Sequence, residues 1–310
     1  MNVNLVSDRP ASISLLRIFA MILLGYVVIG STVSMGVMAL LYDGNLMVAI
    51  ADPLGHPEIR NIMLMAQGLG SLVGLVLVPW YYLRLIEKRQ LAVLFKEMPS
   101  WQTSGVVLLL TIAFAVAISP ITEWNAGIQM PSWTGALGDL LTDIERQAEV
   151  LIKLFTSNLT PSTFILVFVI VAIVPALGEE FVFRGLIQTE LKRALENPHA
   201  AIWLSAAIFS AFHFQFFGFF PRLLIGALLG YLYYWSGSLW LPVLAHFFNN
   251  GVQVIALYLR QLNFISFDVE STESAPLGWV AAAVVVTFVL LRYSMNQLSA
   301  PVIISSDHSS

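Results

Sequence analysis

The chain has 310 residues, of which 58% are hydrophobic and only 11% charged, with a formal net charge of -4. A soluble domain carries about 25% charged residues, so this composition is that of a polytopic membrane protein. No dense basic run is present, which argues against nucleic acid as a partner, and the absence of cysteine removes disulfides, thiolate metal sites and cysteine nucleophiles together.

A hydrocarbon core of about 30 Å takes about 20 helical residues to cross. That ruler predicts an all-α fold, a polytopic membrane helical bundle of about eight transmembrane helices at 18–42, 62–85, 104–122, 162–183, 200–220, 223–240, 242–259 and 277–291. The first apolar run is about 25 residues long, beyond the 7 to 15 of a cleaved signal core, and reads as a retained span. In the second span, Gly68, Gly70 and Gly74 read as small residues that let two helix backbones approach closely. Between the third and fourth spans, Leu137, Leu140, Leu141, Ile144, Leu151, Leu154 and Phe155 recur at helical spacing among acidic residues. This pattern predicts an amphipathic connector helix on the outer interface, with a lid or partner-binding role as the weaker reading.

Residues 1–17 are expected as an N-terminal segment, 18–293 as the transmembrane domain with its chemistry at about 160–260, and 294–310 as a polar tail. Basic residues order the topology: Arg9 and Arg17, then Arg84, Lys88, Arg89 and Lys96, then Lys192 and Arg193 would share the cytoplasmic side, while Asp139, Asp143, Glu145, Glu149, Asp268, Glu270 and Glu273 occupy the opposite loops. Both termini are therefore expected inside, and the setting is an integral membrane one, read as a bacterial cell membrane.

Three of the later spans carry the polar groups of interest. They are Glu179, Glu180 and Arg184 in the fourth, Phe209 with His213 in the fifth, and His246 with Asn249 and Asn250 in the seventh. Glu180 and Arg184 are four apart on one helix face and read as an ion pair. Glu179 lies about 100° round the helix, where Arg184 serves it less directly, and is the better candidate for chemistry. Intramembrane ionisable groups usually line a functional site, since each costs about 2.5 to 3.5 kcal/mol on insertion scales. On these spans His213 falls about 20 Å deeper than Glu179 and His246.

A glutamate can take a proton from a water as it attacks a carbonyl, while imidazole and amide groups orient that water and donate to the developing oxyanion. The same two imidazoles and carboxylate, Glu179, His213 and His246, are also a zinc-type donor set. Neither His-Glu-x-x-His, nor Gly-x-Ser-Gly, nor Gly-x-Gly-Asp occurs, so zincin, serine and aspartyl intramembrane chemistries lack their motifs.

Taken in order, Glu179-Glu180-Phe-Val-Phe-Arg184, Phe209-Ser-Ala-Phe-His213 and His246-Phe-Phe-Asn249-Asn250 resemble the Glu-Glu-x-x-x-Arg, Phe-x-x-x-His and His-x-x-x-Asn motifs of the CPBP family. That family comprises membrane proteases that include CAAX prenyl endopeptidases and bacteriocin-processing or self-immunity proteins. The resemblance covers about 164–251. It implies an intramembrane endopeptidase acting on a membrane-associated or lipidated protein or peptide, in which Glu179 activates water with His213, and His246 and Asn250 stabilise the oxyanion. Glu180, Arg184 and Phe209 would hold the geometry, with Asn249 beside them outside the motif spacing. No cofactor is favoured, and zinc is the alternative. Two other functions fit the same residues: a non-catalytic immunity or interaction protein, and a proton-coupled transporter.

Overall fold

The computed structural model describes residues 10–88, 90, 93–266 and 271–298. Arg9 with the start of the N-terminal segment, Arg89, Asp268, Glu270 and the tail from 299 to 310 lie outside the described residues. The described residues fold into helices without strands. The principal helices are α1 (Ala11–Leu41), α2 (Pro57–Ile86), α3 (Trp101–Ala117), α4 (Ser119–Ala126), α5 (Ala136–Thr156), α6 (Pro161–Leu195), α7 (Pro198–Ala211), α8 (Phe219–Ser236), α9 (Trp240–Gln261) and α10 (Leu277–Leu298).

Among the described residues, α1, α2, α6, α8 and α10 are long and apolar enough to cross a membrane, and α3 with α4 makes a sixth span if that pair, bent by 45°, is counted as one. The expectation of about eight is not reached by this measure, for two physical reasons. The fifth expected span falls on α7, which has only 14 residues before the chain turns out of the helix. The seventh falls on α9, whose 22 residues include His246, Asn249, Asn250 and Gln253. The fourth expected span is longer than the ruler allows, because α6 runs on without a break to Leu195, 35 residues in all. The eighth likewise extends to Leu298, into the stretch expected as a polar tail.

Gly70 and Gly74 of α2 do what their spacing predicts, while Gly68 faces the Ile170 side chain of α6. A Cβ on Gly70 would stand 2.6 Å from the Gly30 carbonyl oxygen, and one on Gly74 would stand 2.7 Å from Tyr26 Cα, so α1 and α2 cross backbone to backbone. Ser34 Oγ donates to the Ala66 carbonyl across the same crossing at 2.8 Å. A further contact joins this pair to α6, where a Cβ on Gly178 would meet Leu75 Cβ at 2.8 Å. The residue beside Glu179 is thus packed directly on α2.

The other half of the bundle has a register that side-chain contacts define. Arg184 and Gln188 donate to the carbonyls of Gly226 and Gly230, four residues on in each helix, so α6 and α8 run parallel. Ser205 donates to Phe183 as α7 returns antiparallel to α6. On the opposite side α9 also runs antiparallel to α6, with His246 against Glu180, Asn250 against Val171 and Gln261 against Leu159.

The amphipathic helix forms as expected at Ala136–Thr156, with Asp139 in its first turn and Lys153 in its last, both of the sign the helix dipole favours. Leu154 and Phe155 dock with Leu64, Val167, Ile170 and Val254. Leu137, Leu140 and Ile152 remain exposed, as suits a helix lying against lipid rather than inside a core.

The α1/α2 crossing gives a direct test. Gly70→Ile forces the two backbones apart and is expected to cost about 1–3 kcal/mol, whereas Gly36→Ala, whose Cβ meets nothing within 4 Å, should be neutral or stabilising; thermal unfolding of the two purified variants in detergent reads the difference.

Candidate active site

Pro175 sits in the middle of α6, where it has no N–H to give the carbonyl four residues earlier, that of Val171. Asn250 Nδ2 donates to that carbonyl from α9 at 2.9 Å. The turns on either side are π-helical, at Val169–Ile173 and Phe181–Gln188, a widening that recurs at functional sites. Glu179 and Glu180 occupy the stretch between them.

Glu180 and Arg184 form the expected ion pair. Arg184 Nη1 donates to Glu180 Oε1 at 2.8 Å, with the two side chains 1% and 0% exposed. The guanidinium is further held by the Gly226 carbonyl, 2.9 Å from Nη2, and by the ring of Phe209, whose centroid lies 4.6 Å away. Glu180 also has a role that the spacing alone did not reveal: its Oε1 lies 2.7 Å from His246 Nδ1. The pair is therefore a triad, and its carboxylate orients a histidine on another helix.

Glu179 points elsewhere. Its Oε2 lies 3.9 Å from Nε2 of His213 and 3.9 Å from Nε2 of His246, with the glutamate side chain 18% exposed. Both rings are anchored through their other nitrogen. His213 Nδ1 is 2.9 Å from the Phe209 carbonyl, which can only accept, so Nδ1 carries the proton and a neutral ring turns its Nε2 lone pair toward Glu179. In the same way Glu180 fixes His246 with Nε2 inward. The phenyl ring of Phe209 touches both imidazoles edge to face, at centroid distances of 4.9 and 6.1 Å.

The apparent mismatch in depth between Glu179 and His213 disappears in this register. Glu179 lies sixteen residues before the end of α6 at Leu195, and His213 lies fifteen residues after the start of α7 at Pro198. In antiparallel helices joined by a tight turn, both stand about 23 Å from that turn. Asn249 and Asn250 lie one turn beyond His246, with Asn249 Nδ2 donating to Asn250 Oδ1 at 3.0 Å. Asn250 thus spends one amide N–H on Val171 and has a second that neither contact uses.

The two carboxylate–imidazole separations of 3.9 Å are longer than hydrogen bonds. Among the described residues no group of three or more His, Asp or Glu is placed to hold a metal ion. The response of activity to a chelator decides the zinc alternative, with Glu179, His213 and His246 as its donor set, and no step is routed through a metal.

Beyond the motif residues, the loop after His213 brings in Asn125 of α4, which bonds Phe216 and Phe220, and Arg222 of α8, which donates to the Gln215 side chain at 2.9 Å. Neither followed from the spacing, since Asn125 belongs to no motif and Arg222 is a single charge in an apolar stretch. Glu145 of α5 approaches the same loop, and burial lifts its carboxyl above the usual range while the Phe217 N–H and Arg222 oppose that shift. A cavity of about 230 Å³ opens nearby, lined by Tyr26, Ser34, Gln67, Ser71 and Phe155. Tyr26 connects it to the site by packing on Phe212 at a centroid distance of 5.5 Å.

Residues 161–252 match the family model described as type II CAAX prenyl endopeptidase Rce1-like. This match agrees with the CPBP resemblance that the three motifs carry. The match contains α6, α7 and α8 whole, with the first half of α9, and so takes in every motif residue. An uncharacterized protein of Bacillus subtilis (strain 168), YpbD, is 33% identical over 104 residues, which are 32% of this chain and 48% of that protein. The matched segment therefore spans about half the length of this relative. No solved structure matches. The apolar helices make this an integral membrane protein, in which residues 161–252 are similar to a protease family.

The buried triad has a measurable consequence for stability. Glu180→Gln leaves Arg184 charged and uncompensated inside the bundle and is expected to cost about 3–5 kcal/mol. The double variant Glu180→Gln with Arg184→Met should lose less than the two single variants summed, as read by denaturant unfolding.

Proposed function

We propose that the chain is an intramembrane endopeptidase that hydrolyses a peptide bond of a membrane-associated protein or peptide, using a water activated by Glu179. One observation carries this reading: a single carboxylate oxygen faces the Nε2 atoms of two imidazoles at equal distance, and each ring is anchored through Nδ1. The Glu179 carboxylate and the Nε2 lone pair of His213 are two acceptors facing one another, and a water has two protons to give.

In the proposed cycle, water donates one proton toward Glu179 and the other toward His213 Nε2, leaving its oxygen lone pair directed at the scissile carbonyl. Glu179 takes the proton as the C–O bond forms, a step of general base catalysis worth about 10² to 10⁴ in rate. His246, as an imidazolium held by Glu180, offers Nε2–H to the carbonyl oxygen as it becomes an oxyanion, and the second amide N–H of Asn250 assists; one such donor is worth about 10² to 10³. Protonated Glu179 then returns its proton to the leaving amine as the C–N bond breaks. Glu180 and Arg184 do not touch the reacting atoms and serve to hold His246.

The substrate class follows from the setting rather than from specific contacts. A site about 23 Å along α6 from its end accepts a chain that reaches it within the bundle, and the cavity at Tyr26 and Phe155 offers mixed hydroxyl and apolar lining for residues beside the cleaved bond. A lipidated substrate fits this setting, by analogy with the family.

Cleavage of a panel of membrane-tethered peptides by the purified protein tests the proposal. Glu179→Gln is expected to lose at least about 10²-fold in kcat with little change in unfolding temperature, and the wild-type rate should survive a chelator. Activity retained in Glu179→Gln contradicts the water-activating role, and loss to chelator with rescue by zinc contradicts the metal-free cycle. Proton-coupled flux in proteoliposomes without cleavage would support a transporter instead.

A further inference from the structure

His213 is not on a helix. It follows the end of α7 at Ala211 and opens the loop to α8, where Phe214 adopts φ 56°, in the left-handed region that a bulky side chain rarely enters. A strained loop of this kind keeps one conformation only if its surroundings over-determine it. Two of its restraints are local: Ser210 Oγ donates to the Phe219 carbonyl at 2.7 Å, and Arg222 Nη2 donates to Gln215 Oε1 at 2.9 Å. A third comes from a distant part of the chain.

Asn125, at the end of α4, is 0% exposed. Its Nδ2 donates to the Phe216 carbonyl at 3.2 Å, and its Oδ1 accepts from the Phe220 backbone N–H at 2.9 Å, across 91 and 95 residues of sequence. The carbonyl can only accept and the N–H can only donate, so the amide has one orientation and both partners are matched. A buried amide is costly unless bonded, which makes this a specific contact rather than incidental packing. The bend between α3 and α4 at Ile118, with Pro120 in the first turn of α4, brings Asn125 to the loop.

We propose that Asn125 is a positioning residue for His213: a clamp on the α7–α8 loop, supplied by α4 from outside the family-matched segment, that holds the imidazole against Glu179. This rests on the reading of His213 as part of the active site. The amide bridges the loop's third residue after His213 to the first turn of α8. Without it, the backbone from Phe214 to Phe219 retains its local restraints and the contact of the Phe217 N–H with Glu145 of α5, and both ends of the segment around Phe216 and Phe220 lose their tie to α4, which loosens the 3.9 Å spacing of His213 from Glu179. Misplacement of a catalytic group by about 1 Å can cost about 10²-fold in rate without loss of binding.

The test uses the full chain, purified in detergent, as wild type, Asn125→Ala and Asn125→Asp. Asn125→Ala is expected to lower kcat about 10- to 100-fold with KM unchanged within about 2-fold. Asn125→Asp keeps the acceptor for the Phe220 N–H but gives up the donor to Phe216, and its kcat should lie between the two. Amide hydrogen exchange should rise about 10-fold in the segment 214–220 of Asn125→Ala and stay at the wild-type level in 176–188, around Glu179. Unchanged loop exchange in Asn125→Ala overturns the clamp, as does a rise spread evenly over both segments. An unchanged kcat despite a loosened loop overturns the role toward His213. Should the wild type cleave nothing, the peptidase reading fails by itself, and the exchange data still decide the clamp.

Discussion

A single buried ion pair ties the second half of this bundle together. Glu180 and Arg184 lie on α6, but the guanidinium donates to Gly226 on α8 and rests over Phe209 of α7, while the carboxylate holds His246 of α9. Four helices thus meet around two charges. Charges removed from water are a poor source of stability in themselves, because desolvation offsets much of their attraction. Their effect is to specify arrangement: only one register of α7, α8 and α9 against α6 satisfies the pair, and that register brings two imidazoles to face Glu179.

The division of labour between adjacent glutamates follows from helix geometry. Successive residues differ by about 100° in direction, so Glu180 faces the interior pair while Glu179 turns toward the gap between His213 and His246. One carboxylate is consumed by structure and the other is left for chemistry. The break at Pro175 contributes to the same design, since the carbonyl it leaves without its usual donor is bonded by Asn250, fixing α9 one turn beyond His246.

Support for the site also comes from helices that the family match does not include. The α1/α2 pair, held in contact by Gly30, Gly70 and Gly74, packs on α6 at Gly178, next to Glu179. On the far side α4 reaches the loop after His213 through Asn125. The motifs supply the groups of the candidate site, and the first half of the chain supplies walls against which they are held.

Much of this was legible in sequence. Composition alone required membrane helices, glycine spacing marked α2 as a helix for close packing, leucines at helical spacing identified α5, and ionisable residues in apolar runs singled out Glu179, Glu180, Arg184, His213 and His246 because lipid penalises charges that have no task. The number and lengths of spans were less legible. A hydropathy ruler assumes that each helix meets lipid along its whole length, and α7 and α9 do not obey it: one ends early in a left-handed turn, and the other carries its polar face inward. Local patterns report which side of one helix is apolar, but they carry no information about which helix it meets. The bond from Glu180 to His246, the equal depth of Glu179 and His213, and the reach of Asn125 across more than ninety residues depend on the relative placement of separate helices. The sequence by itself therefore determined the membrane setting, the helical class and the candidate groups of the site, because these follow from the chemistry of each residue and its near neighbours. Tertiary structure alone decided which groups converge and which residues hold them there, because packing between distant helices sets those distances.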